Sequence, residues 1–80
     1  MTRPKQDAGP SDPRGLHTDG AVVRALRRDH YWTQEELAER AGVTARTVAN
    51  AEAGRPVSFR TLRALAENLG VPVPRLCRLG

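Results

Sequence analysis

Residues 33–54 read TQEELAERAGVTARTVANAEAG, and the rest of the chain is arranged around them. Thr33 is a good helix N-cap, and Glu36 three residues on completes a capping box. Trp32, just before the cap, can staple onto Leu37. Leu37, Ala38 and Ala41 recur at helical spacing, which gives one apolar face. Gly42 stands where a helix ends in a left-handed residue, and Val43 is an apolar plug. Thr44 caps a second helix whose inner face is Val48 and Ala51, and Gly54 ends it. Two capped helices separated by so short a turn must cross steeply.

The whole chain bounds the answer. Its 80 residues make one domain at most, with a core that can fold without staples. The single cysteine, Cys77, excludes an internal disulfide and a cysteine zinc site. His17 and His30 have no partner at ligand spacing, so no metal or cofactor is expected. No apolar run has membrane-spanning length and no leader is expected, which predicts a cytoplasmic protein. The net charge is +4, from 13 basic and 9 acidic residues. The first 19 residues balance, with Arg3, Lys5 and Arg14 against Asp7, Asp12 and Asp19. The excess therefore lies in the folded part, where a polyanion can use it. The bias toward arginine suits bidentate phosphate and guanine contacts.

Outward from the central stretch, residues 1–17 carry Pro4, Pro10 and Pro13 with almost no apolar residues, and are expected to be a disordered tail. A first helix is expected over residues 20–29, capped by Asp19 or Thr18, with Val22, Val23 and Leu26 facing in. Ser58 caps a helix from Phe59 to Leu69, whose stripe is Phe59, Leu62, Leu65, Ala66 and Leu69, and Gly70 ends it. Pro74 begins a last short helix with Leu76 and Leu79 facing in. Cys77 reads as a small core or interface residue.

Gln34, Ala38, Gly42, Val48 and Glu52 before Gly54, with helices on both sides at the right separations, resemble the helix-turn-helix of the lambda-repressor-like (Cro/CI, XRE-type) DNA-binding domains. The resemblance runs from about Thr18 to Leu79. It implies an all-α, compact five-helix domain over residues 18–80 with the helix-turn-helix at its second and third helices. It further implies sequence-specific binding of double-stranded DNA by a transcriptional regulator, a repressor by preference, with no reaction catalysed.

In such domains the N-terminal end of the recognition helix, here residues 44–53, enters the major groove. Helical geometry then turns Ala45, Arg46, Ala49 and Asn50 outward, with Thr44 and Thr47 near the tip. Arg46 can bridge guanine O6 and N7, Asn50 can read adenine or a phosphate, and Thr44 and Ala45 can touch a thymine methyl. The expected base contacts are thus Thr44, Ala45, Arg46, Thr47 and Asn50. Thr33, Gln34, Arg27, Arg55 and Arg60 are the expected phosphate contacts. The resemblance also pairs Arg27 with Glu52, linking the first helix to the recognition helix.

Two departures stand out. Tyr31 occupies a position where related domains often have glycine, and at positive φ it would be strained. Ala51 is smaller than usual, leaving space for Trp32 or Phe59. A homodimer on a two-fold operator is expected, with Pro74, Arg75 and Arg78 as the nearest thing to a contact segment. Two other functions compete: an antitoxin-like or adaptor module binding protein, and single-strand binding through a Tyr31–Trp32 stacking platform.

Overall fold

The computed structural model describes residues 17–78. In chain order it comprises β1 (His17–Thr18), α1 (Gly20–Asp29), α2 (Gln34–Ala41), α3 (Ala45–Glu52), α4 (Phe59–Leu69), a 3-10 turn (Val73–Arg75) and β2 (Cys77–Arg78). There are four α-helices among the described residues, not five. The expected last helix is one 3-10 turn, after which Cys77 and Arg78 pair antiparallel with Thr18 and His17. Pro72 and Pro74 fall at the N-cap and in the first turn, where a helix accepts proline, and the turn ends because Cys77 and Arg78 are drawn into pairing with Thr18 and His17. Residues 1–16 of the expected tail, and Leu79, lie outside the described residues. His17 is strand, bridging Pro56 as well as Arg78.

The caps are those the central stretch calls for. The Thr33 hydroxyl accepts from the Glu36 N–H at 3.0 Å, and the Glu36 carboxylate accepts from the Thr33 N–H at 2.8 Å. The Thr44 and Ser58 hydroxyls each accept a bond from the N–H three residues on. Each fixes a helix start and satisfies one of the four free N–H groups there. Gly42 closes α2 at φ 75°, so the chain reverses into α3 at no steric cost. The start of α1 is different. Neither Asp19 nor Thr18 caps it through a side chain. The Asp19 N–H is tied to the Leu76 carbonyl at 2.7 Å, and the Thr18 hydroxyl donates to the Arg55 carbonyl at 3.1 Å.

The core is Val23 of α1, Leu37 and Ala38 of α2, Val48 and Ala51 of α3, Leu62, Leu65, Ala66 and Leu69 of α4, with Val57 and Leu76 from the connections. Phe59, expected in the inner stripe, is 53% exposed: it sits in the first turn of α4, where the stripe outruns the core. Ala51 is fully buried, and of its two expected neighbours Trp32, not Phe59, packs on the core cluster. Close by, α1 meets the end of α3 at Gly20, where a Cβ would collide with the Glu52 carbonyl oxygen and stand 3.0 Å from that of Ala51. Glycine at the start of α1 thus lets α1 ride directly on the last turn of α3.

The turn from α1 to α2 puts Tyr31 at φ 60°, the one described non-glycine residue with positive φ. Its side chain is 93% exposed. Trp32 is half-buried against the edge of the core rather than within it. The His30 ring stacks on the indole at 4.3 Å, and the Arg40 guanidinium lies 4.5 Å from its centre. The indole is therefore clothed by its own neighbours, and Tyr31 and Trp32 do not form an open two-ring platform.

Candidate nucleic-acid interface

The rod that carries the outward residues is held from behind. Val48, Ala51 and Glu52 of α3 are buried, while Thr44 and Arg46 are exposed and Thr47, Ala49 and Asn50 are half-buried. Arg46 has no acidic partner among the described residues. The Thr44 and Thr47 hydroxyls lie 3.0 Å apart at the tip. Ala45, expected to face outward, is instead partly buried against the core. It stands three residues before Val48, and that spacing places it on the same inward stripe.

Glu52 is the structural centre of this region. Its carboxylate is 1% exposed and receives both Nε and Nη2 of Arg27, Nη2 at 3.1 Å to Oε1. The Gln34 side-chain amide donates to the same Oε1 at 3.1 Å. The Arg24 Nε stands 3.5 Å from it. Arg27 also donates to the Trp32 carbonyl at 2.8 Å. One carboxylate thus joins α1, the start of α2 and the end of α3. Burial acts to raise the Glu52 pKa, but hydrogen bonds from Arg27 and Gln34, with the charge of Arg27 and the nearby Arg24, outweigh it and hold the group below its ordinary range. Arg27 is raised in turn, chiefly by its hydrogen bond to Glu52.

This geometry separates the two roles expected of Arg27. Its side chain is only 13% exposed and its donors point to Glu52 and Trp32, so in the free protein it serves the ion pair. The Gln34 amide likewise points inward, bracing α3, while its backbone N–H lies in the first turn of α2, where N–H groups have no partner within the helix. The Thr33 hydroxyl and N–H are both occupied by the capping box, although the residue is exposed. Arg55 and Arg60 are exposed. The Arg55 Nη1 reaches the Asn50 Oδ1 at 3.4 Å, a long bond between the loop after α3 and the outward face of α3. Pro74 and Arg75 are exposed, and Arg78 lies in β2.

Arg24 escaped the sequence reading. The signal was present: it lies three residues before Arg27, hence on the same side of a helix. The bond from Thr18 to Arg55 had no such signal, since 37 residues separate the two. Among the described residues no cluster of three potential metal ligands occurs. None of the helices there is long and apolar enough to cross a membrane.

Comparison with known proteins fits this geometry. The helix-turn-helix family model matches residues 23–76. The restriction-modification controller protein C.AhdI from Aeromonas hydrophila is 32% identical, with a TM-score of 0.65 over 70% of this chain and 86% of that one. The clp gene regulator ClgR from Corynebacterium glutamicum is 34% identical, with a TM-score of 0.62 over 69% of this chain and 60% of that one. A second ClgR structure is 34% identical, with a TM-score of 0.60 over 69% and 73%. No curated protein sequence matches.

Proposed function

The chain belongs to the helix-turn-helix family, and from that premise we propose that it binds duplex DNA sequence-specifically as a transcriptional regulator, with α3 in the major groove. The observation that carries this is the placement of Arg46. It is exposed and has no acidic partner among the described residues, on the first turns of a capped helix whose opposite side is fastened by Val48, Ala51 and Glu52. A long cation on a rigid rod suits the O6/N7 edge of guanine. Similarity to a restriction-modification controller and a clp gene regulator supports a regulatory role.

In this reading Arg46 and Asn50 supply most of the base recognition, with Thr44 and Thr47 at the tip. The N-terminal turn of α2 at Thr33 and Gln34, with Arg55 and Arg60, holds phosphates and sets the register. One α3 covers a half-site, so two copies bind a two-fold operator, meeting through the exposed segment around Pro74 and Arg75. Occupancy then blocks polymerase, which makes the protein a repressor acting in the cytoplasm.

The test is selection of bound sites from random duplex DNA, followed by R46A on the winning site. Loss of about 1–3 kcal/mol, with discrimination relaxed at one base position per half-site, is expected. A protein that prefers no duplex over bulk competitor at low salt lacks this function.

A further inference from the structure

Arg24 belongs to none of the roles assigned so far, and its charge is left over. Among the described residues the acidic group within ion-pair reach of it is Glu52, at 3.5 Å. Glu52 already takes both its oxygens to Arg27. Two guanidiniums and one carboxylate leave one net positive charge on the cluster. Burial decides where that charge resides: the Arg27 side chain is 13% exposed and the Arg24 side chain 53%. The surplus therefore faces solvent at Arg24. Its Nε stands 3.5 Å from Glu52 without a hydrogen bond between them, and just over half of the side chain is open to a ligand. Its neighbour on the same Oε1 is the amide of Gln34, the first residue of α2. An anion at the start of α2 would thus lie near a guanidinium from α1.

We propose that Arg24, the exposed cation beside Glu52, is a backbone-phosphate ligand of the bound duplex, and marks the edge of the interface on α1. The proposal rests on the duplex-binding reading above. Its chemistry is a charge-assisted pair between a guanidinium and a phosphodiester oxygen, which carries no base information. Arg24 is the more accessible of the two arginines, and it is not committed to a bidentate pair with Glu52 as Arg27 is.

The test measures dissociation constants of the full chain for the selected duplex and for one mismatched duplex across a salt series. R24Q removes the charge but keeps a polar side chain, and the Arg27 and Gln34 bonds to Glu52 remain to hold the fold. The expected result is a salt slope shallower by about 0.9, equivalent to losing roughly threefold less affinity between about 50 and 200 mM salt. The ratio of matched to mismatched affinity stays that of the unmutated protein. R24K, which keeps the charge, retains the original slope. R63Q is the control, because Arg63 pairs with Glu67 on its own helix at 3.4 Å, and its slope should not move. An unchanged slope in R24Q, or an equal change in R63Q, overturns the assignment of Arg24 while leaving duplex binding intact. Failure of the unmutated protein to bind any duplex overturns both.

Discussion

Tyr31 is held in a conformation that its side chain opposes. A residue with a Cβ at φ 60° is strained by about 1–2 kcal/mol, and with 93% of its surface in water Tyr31 recovers little of this by packing. The turn nonetheless has to be made there, because the Tyr31 and Trp32 N–H groups bond to Arg28 and Arg27 and deliver the chain to the Thr33 cap. Y31G should therefore raise stability by about 1 kcal/mol, read as a higher midpoint in urea; a lower midpoint would show that the exposed ring matters more than the strain. Glu52 makes the opposite case, of a costly group made favourable by its partners. Its folded pKa lies below the ordinary 4.5, so its contribution is complete above that value and is lost as pH falls through the lowered folded one. E52Q should flatten the acid limb of the stability–pH profile relative to the unmutated protein. E52A strands Arg27 and should cost about 3 kcal/mol at neutral pH.

At the scale of elements, the decisive contact is α1 on α3 at Gly20. An alanine there would drive a methyl group into the Glu52 carbonyl, so α1 must back away from α3. G20A should destabilise by about 2–3 kcal/mol and, because Arg24 and Arg27 ride on α1, should loosen the Glu52 cluster as well. Urea unfolding with an unaltered midpoint would contradict this. Gly20 appeared in the sequence only as the first residue of a helix, since nothing local announces which backbone lies against it. The four α-helices were legible; the expected fifth was not. Thr33, Thr44 and Ser58 are caps with short-range consequences, and Gly42 and Gly70 end their helices where a left-handed residue is wanted. The pairing of Arg27 with Glu52 came from family resemblance, while Arg24 and the inward set of Ala45 needed coordinates. The strands needed them most. Cys77 and Arg78 are strand because of Thr18 and His17, about sixty residues earlier, and no local period encodes that partner. Phe59 misled because its spacing fits the inner stripe while its position, at the first turn, lies past the core.

For the whole molecule, the segment after α4 is part of the core. Leu76 is fully buried alongside Leu37, Leu62 and Leu65, although it lies between a 3-10 turn and a two-residue strand. L76A should therefore cost about 2–5 kcal/mol, in the same range as L62A, and each should leave a single cooperative transition in urea. A small loss at Leu76 with a separate early phase would mean that this segment frays independently. The ribbon of β1 and β2 adds a topological property. It brings His17 beside Arg78, so the described fold is nearly a closed ring of chain, parted at one edge. A short splice from 78 to 17 could seal that ring, and a new opening could be cut at an exposed turn such as Gly70, giving a permuted chain with the same recognition rod.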